Sequence, residues 1–355
     1  MRKQNVGQSF VFYIDLIRIA AVLAVIALHT SAVRVVRYGE IDPASWWTAN
    51  VIDSLSRWAV PIFIMVSGIL ALDLQKPFSG KILRRRLMRV GFPLLFWSMF
   101  YFCWKAAYYG EGMSWQEAWS AFAAGLPENH LYFLFIIIGL YGITPALRLM
   151  LLKIPAWSTG AFIGLLFAAA TSGLLFMHVK MNALTRFIPY ITYYLIGYLL
   201  HKLRLSTRQT GFAAVIYLLT SFGIIAGTGY LISTVGGNDY YAFLLYDHFH
   251  VLVFLQTAGI FFVLKYLGEK LEHLTSKPLI SQISSVTFGI YLVHLFVLDL
   301  VRSFTAPLTG IPAVVMILVE VVVTFTISGI IVFCTASLPV LRIALGGVHR
   351  SGNEK

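Results

Sequence analysis

The chain has 355 residues, of which 59% are hydrophobic and 12% charged, and its mean hydropathy is +0.80. Soluble domains carry about 25% charged residues, so the composition excludes an ordinary soluble protein and indicates a polytopic membrane protein. The net charge of +12 does not indicate nucleic-acid binding, because the basic residues cluster in short segments between apolar runs and predict contacts with membrane lipids.

About ten apolar segments approach the length that a helix needs to cross the hydrocarbon core. We therefore predict an all-α protein, built as a single bundle of about ten transmembrane helices. The predicted spans are 11–33, 52–72, 90–109, 131–152, 159–178, 186–202, 211–232, 247–267, 283–303 and 312–338.

Charge asymmetry predicts the orientation of this bundle. If the N-terminus is cytoplasmic, most of the 27 Lys and Arg residues fall on the inner side, as the positive-inside rule requires. Both termini are then cytoplasmic, with residues 1–345 forming the membrane domain and 346–355 a short tail. The first apolar run contains Asp15 and Arg18, so we interpret it as a retained span and not as a secretory signal.

The first span carries ionisable residues that are expensive in hydrocarbon and usually face the interior of a bundle. Arg18 and His29 are separated by about three helical turns plus 20°, so they share one face, roughly 16 Å apart along the axis. Asp15 precedes Arg18 by one turn, where an acid–base pair can form. The stripe predicts a polar path through the helix, whereas snorkelling of both residues to opposite interfaces is the alternative.

The second span contains Arg57 near its outer end and Ser67-Gly68 deeper in the membrane. Arg57 follows Asp53 by one turn and lies near the predicted depth of His29, so it is a candidate substrate-binding residue. The pair Ser67-Gly68 is typical either of a notch for close helix packing or of a polar site.

A basic segment, KILRRRLMRVGFP, stands in the predicted inner loop before the third span. It indicates either an anchor at an anionic leaflet or a site that binds phosphate groups through guanidinium forks. The chain lacks a Walker-type GxxxxGKS/T motif, so ATP binding of that kind is not expected. The candidate phosphate-binding residues are Arg84, Arg85, Arg86 and Arg89.

Two histidines in later spans each have a tyrosine nearby. His130 and Tyr132 stand at the outer edge of the fourth span, and Tyr291 and His294 lie near the middle of the ninth. A lone intramembrane histidine is either a structural hydrogen-bonding residue or a catalytic one, and both interpretations stay open for His294. The intramembrane acids whose partners the sequence does not identify are Asp299 and Glu320.

Motifs for metal-dependent and nucleophilic hydrolysis are absent from the sequence. There is no GxSxG elbow, no HExxH and no CxxC, and the chain has two cysteines. These absences argue against the commonest hydrolase and zinc chemistries, so we predict no metal site.

Six segments together resemble the membrane-bound acyltransferase family three, and most closely its enterobacterial common antigen O-acetyltransferase branch. They occur in the family's order between about residues 12 and 300, and the Arg-x10-His of the first span is the most specific part. The segments are YIDLIRIAAVLAVIALH, SRWAVPIFIMVSGIL, RRRLMRVGFPLLFWS, HLYFLFIIIGLYGITP, YYLIGYLL and TFGIYLVH.

The resemblance implies an enzyme of the bacterial inner membrane. It would transfer an acetyl or other acyl group from cytoplasmic acyl-coenzyme A to a hydroxyl of a glycan or a lipid-linked saccharide. By position, His29 matches the expected catalytic residue and Arg18 its partner in the motif, while Arg86 and Arg89 match the family's basic pair. Asp15 is also seen in relatives, and we predict that it belongs to the catalytic group with Arg18 and His29. Tyr132 stands where relatives commonly have Trp, which puts the family's mode of acceptor stacking in doubt.

In this interpretation, a neutral His29 acts as the general base that deprotonates the acceptor hydroxyl, and a covalent acyl-histidine is a second route. Arg57, Ser67 and His130 are candidates to stabilise the oxyanion or orient the acceptor.

The alternative function is a transporter or flippase for a lipid-linked or acylated sugar, although no inverted repeat is evident. A non-catalytic ligand-binding membrane domain is a third. The acceptor, the acyl group and homo-oligomerisation stay open.

Overall fold

The computed structural model describes residues 6–110, 112–173, 181–237, 239–273, 277–308, 310–335 and 337–347. Within these ranges the secondary structure is helical, and no strand occurs. The part of the predicted tail from residue 348 onward lies outside the described residues. The helices are α1 (Val6–Val35), α2 (Pro43–Ser56), α3 (Ala59–Ala71), α4 (Gly80–Trp104), α5 (Trp115–Ala123), α6 (Tyr132–Lys153), α7 (Ala156–Ser172), α8 (Ile191–Lys202), α9 (Thr207–Val235), α10 (Val251–Leu271), α11 (Lys277–Thr305), α12 (Ala313–Thr335) and α13 (Pro339–Ala344).

In the described ranges, eight helical segments are long and apolar enough to cross a membrane, and one of them, Pro43–Ala71, comprises α2 and α3. They correspond to eight of the predicted spans and confirm a polytopic α-helical membrane protein. The predicted spans 159–178 and 186–202 correspond to the shorter helices α7 and α8.

Two predicted boundaries are wrong. The basic segment is not a loop, because α4 already begins at Gly80 with Ser79 as its N-cap. The predicted outer loop 34–51 contains the start of α2, where Asp42 caps the helix by accepting from the backbone N–H of Ser45. In both cases a cap residue starts the helix well before the apolar window begins.

The chain divides into two compact units. The first contains the described residues within 1–63 and 204–332. In it, α1 packs against α2, α10 and α11, and α9 packs against α10 and a 3-10 helix at Tyr240–Tyr246. α1 therefore has neighbours on several sides, which places its polar stripe among other helices.

The second unit contains the described residues within 64–203 and 333–348. In it, α4 packs against α6 and α13, and α7 packs against α8. A short helix, α5, follows α4 and starts with a capping box between Ser114 and Glu117. The Ser114 backbone N–H donates to the Glu117 carboxylate and lowers the pKa of that carboxyl.

Candidate active site

The first unit brings two of the predicted site residues together, His29 on α1 and His294 on α11. Their ring centroids are 5.2 Å apart, with the ring planes tilted by 46°. His294 is fully buried, and its Nδ1 lies 2.6 Å from the carbonyl oxygen of Tyr291. Because a carbonyl only accepts, Nδ1 carries the proton, and in the neutral ring Nε2 is then the acceptor.

Arg57 lies beside this histidine pair, at the break between α2 and α3. Pro61 explains the break, because it has no N–H for the carbonyl of residue 57. Arg57 forms an ion pair with the buried carboxylate of Asp53. Its guanidinium carbon lies 3.7 Å from the centroid of the Tyr246 ring, a cation–π contact. Arg57 is also close enough to His29 for the two to interact electrostatically.

The position of Arg57 is fixed by further side chains around it. The Tyr246 hydroxyl donates to Oδ1 of Asn50, and the Asn50 amide donates to the carbonyl of Ile225 at 3.0 Å. The Asp53 carboxylate accepts a long hydrogen bond of 3.5 Å from the hydroxyl of Ser31. Arg57 is thus held by α2 and by the 3-10 helix, with little rotational freedom.

A second cation, Arg302 of α11, contacts the backbone of His29 on α1. Its guanidinium donates to the carbonyl oxygen of His29 at 2.7 Å, and it interacts electrostatically with the His29 side chain. An imidazole flanked by two guanidinium groups has the components for proton transfer next to a developing negative charge. No local sequence pattern indicates a role for Arg302, because its partner is 273 positions away.

Glu320, whose partner the sequence did not identify, forms a bidentate ion pair with Arg34. The two N–O distances are 3.1 and 3.0 Å, and the Thr305 hydroxyl donates to the same carboxylate. Glu320 is 2% exposed. These contacts join α1, α11 and α12 within the unit that contains the histidine pair.

At the opposite end of α1, Asp15 accepts a hydrogen bond of 2.7 Å from the hydroxyl of Ser284 on α11. Asp15 is buried, and it interacts electrostatically with the half-buried Arg18. Asp15 and His29 thus both contact α11, one at each end of the polar stripe.

The predicted donor-binding arginines belong to the second unit and differ among themselves. Arg84 and Arg85 are exposed on α4. Arg86 donates to the carbonyl of Leu70 at 3.0 Å, and Arg89 donates to the carbonyl of Gly346. Two of the four guanidinium groups therefore donate to the backbone, and Arg89 is exposed like Arg84 and Arg85 although its Nε is engaged.

The remaining candidates, apart from Tyr291, also lie in the second unit. His130 is buried against Tyr101, with ring centroids 4.9 Å apart, and Tyr132 is the half-buried first residue of α6. Ser67 is half-buried and adjoins Gly68, where an added Cβ would lie 2.0 Å from the carbonyl oxygen of Tyr194. This close approach identifies the Ser67-Gly68 pair as part of a packing notch.

In the first unit, Tyr291 packs edge-on against Phe63, with ring centroids 6.2 Å apart, and lies 5.6 Å from the ring of His294. The unit therefore assembles His29, Arg57, Tyr291 and His294 and adds Asp53, Tyr246 and Arg302. Of these three, Asp53 could be predicted from its four-residue spacing to Arg57. Tyr246 lies in a different helix, and no sequence spacing connects it to Arg57.

These features define a polytopic helical membrane protein with ionisable residues gathered inside one of its units. The model of the acyltransferase domain of acyltransferase family 3 matches residues 11–335. The chain therefore belongs to acyltransferase family 3 and is a membrane acyltransferase. No curated protein and no solved structure matches it. The transporter predicted as the alternative receives no support from the family match.

Proposed function

We propose that the protein is an O-acetyltransferase of the bacterial inner membrane. It transfers an acetyl group from cytoplasmic acetyl-coenzyme A to a hydroxyl of a cell-surface glycan or a lipid-linked saccharide, as in the enterobacterial common antigen O-acetyltransferase branch. The observation that carries this proposal is the contact of His29 with His294, together with the electrostatic interactions of His29 with Arg57 and Arg302. Family membership supplies the class of reaction.

In this mechanism His29 is the general base. Its neutral imidazole accepts the proton of the acceptor hydroxyl as that oxygen attacks the thioester carbonyl. The carbon–sulfur bond then breaks, and the departing thiolate takes up the proton from the imidazolium. Arg57 and Arg302 stabilise the oxyanion that forms between these two steps, since both cations interact electrostatically with His29.

Phosphate recognition is assigned to the cations of α4. Arg84 and Arg85 are exposed, and guanidinium groups bind phosphate oxygens through paired hydrogen bonds. Arg86 has less capacity for this role, because it is half-buried and already donates to a backbone carbonyl, whereas Arg89 is exposed and donates to a carbonyl through Nε. This division refines the prediction that all four arginines bind the donor.

Substitution of His29 tests the mechanism. Cells that express the wild type, His29→Gln or the control His201→Gln are compared for the O-acetyl content of their surface glycans. The His201 ring bonds to a carbonyl of its own helix α8, so the control removes a histidine outside the first unit. We expect His29→Gln to lower acetyl transfer by at least about 100-fold, with equal amounts of inserted protein. Undiminished O-acetylation would exclude His29 as the base.

Mass spectrometry of the protein after incubation with acetyl-coenzyme A alone separates the two routes. Direct transfer predicts an unmodified His29, whereas a covalent route predicts an acetylated one. The same experiment with His29→Gln controls for acetylation at other side chains.

A further inference from the structure

A row of polar side chains runs along the inner face of α12. Glu320, Thr324 and Ser328 follow each other at intervals of one turn, and each is at most 2% exposed. The opposite face of the helix is apolar and exposed, with Leu318 55% and Val322 60% exposed. The row therefore points into the first unit and away from the surroundings of the helix.

Two hydroxyls of this row lack hydrogen-bond partners within the described ranges. They are Oγ1 of Thr324 and Oγ of Ser328. Buried Thr and Ser residues in helices commonly donate to the carbonyl four residues earlier, as Thr257 does to Val253 at 2.7 Å. A buried hydroxyl without any partner is unfavourable, so this arrangement indicates that another polar group satisfies it.

One of the two unpartnered hydroxyls, that of Ser328, lies at the depth of His294. α12 runs antiparallel to α11. Glu320, near the start of α12, contacts Thr305 at the C-terminal end of α11, whereas Val332, near the end of α12, lies close to Gly289 in the N-terminal half of α11. Interpolation between these two contacts places Ser328 opposite the turn of α11 that carries His294, and Thr324 about one and a half turns nearer to Thr305. On α1, the buried hydroxyl of Thr30, next to His29, also has no hydrogen-bond partner among the described residues.

We propose that Thr324 and Ser328 bind the amide groups of the pantetheine arm of the acyl donor. This inference rests on the proposed function, because it takes acyl-coenzyme A as the donor. Two hydroxyls one helical turn apart are separated by about 6 Å, and the two amides of pantetheine, joined by two methylenes, are about 5 Å apart.

The charge of the region also suits a neutral arm. The Glu320 carboxylate in the same row is neutralised by Arg34, so the row offers hydroxyls without net charge. A thin chain that carries amides matches a single row of hydroxyls, whereas a sugar ring presents polar groups around its whole edge. Binding here would bring the thioester end of the arm to the depth of His29.

The test compares the double variant Thr324→Val/Ser328→Ala with the wild type and with Thr257→Val. Each replacement removes hydroxyls from buried positions with little change in volume. Thr257 is a matched control, because it is fully buried in the same unit but satisfied within its own helix. Dissociation constants for acetyl-coenzyme A and for pantetheine, which lacks the phosphates, are measured by calorimetry in nanodiscs, and melting temperatures report on folding.

We expect the double variant to bind pantetheine and acetyl-coenzyme A about tenfold more weakly, because two hydrogen bonds to the ligand are lost. Thr257→Val should bind both probes like the wild type. Unchanged binding by the folded double variant would overturn this inference alone. If the double variant does not fold, Ser328→Ala alone is measured, with an expected threefold loss, and unchanged binding again overturns the inference. A wild type that binds neither probe would overturn the proposed donor together with this inference.

Discussion

Arginines are used differently in the two units. In the first, Arg34 and Arg57 pair with the carboxylates of Glu320 and Asp53, and Arg57 also covers the ring of Tyr246. In the second, the arginines donate mainly to backbone carbonyls. Arg86 bonds to Leu70, Arg89 to Gly346, and Arg148 to Ala71, Asp73 and Lys76.

The physical requirement differs between these two uses. The last carbonyls of a helix have no partners within it, and Arg86 and Arg148 satisfy such carbonyls at and just after the end of α3. Bonds of this kind stabilise the backbone at a helix end. In the first unit, by contrast, ion pairs with carboxylates position Arg34 and Arg57, whereas Arg302 donates to the backbone carbonyl of His29. The same residue type therefore supports the architecture in one unit and the candidate site in the other.

The largest expected effect tests whether backbone packing dominates the second unit. Gly68→Ala would place a Cβ 2.0 Å from the carbonyl oxygen of Tyr194, so two backbones would have to separate. We expect a loss of stability of about 3 kcal/mol, at the upper end for overpacking, and a reduced yield of monodisperse protein in size-exclusion chromatography. Gly142→Ala is the matched control, because an added Cβ there meets nothing within 4 Å. A wild-type melting temperature for Gly68→Ala would contradict this account.

The next prediction compares two arginines of α4, one that supports the fold and one that we propose binds the donor. Arg86→Ala removes the bond to the Leu70 carbonyl, and we expect it to lower stability by about 1 kcal/mol. Arg85→Ala changes an exposed side chain, so we expect unchanged stability and severalfold weaker binding of acetyl-coenzyme A. Melting temperatures and calorimetric titrations of both variants provide the measurement. The distinction fails if Arg86→Ala weakens donor binding without any loss of stability.

Hydropathy was sufficient for most of the fold, because eight of the apolar windows correspond to long helices. Hydropathy did not predict the start of a helix where its first turns contain polar residues. The charged first turns of α4 reduce the hydropathy, although Ser79 caps them and the helix continues unbroken. It also missed the break at Arg57, which depends on a single proline and not on any change in hydropathy.

For the candidate site, the cost of ionisable residues in hydrocarbon was enough to select His29, Arg57 and His294. Their proximity could not be predicted, since α1 and α11 are distant in sequence and no periodicity connects them. Arg302 contacts a backbone carbonyl, and a contact of this kind leaves no pattern in the side chains. Helical phase predicted which residues share a face, but not which helix that face contacts.

The smallest effect concerns how firmly the first unit holds Arg57. Tyr246→Phe keeps the ring under the guanidinium but removes the hydroxyl that donates to Asn50, whereas Tyr246→Leu removes the ring itself. A buried cation–π contact contributes about 1 kcal/mol. We therefore expect acetyl transfer to fall by about fivefold in Tyr246→Leu and by less than twofold in Tyr246→Phe. The initial rate of transfer from radiolabelled acetyl-coenzyme A, normalised to folded protein, is the measurement. Equal losses in both variants would show that the Asn50 hydrogen bond, and not the ring, positions Arg57, and the cation–π contact would then lose its role beside His29.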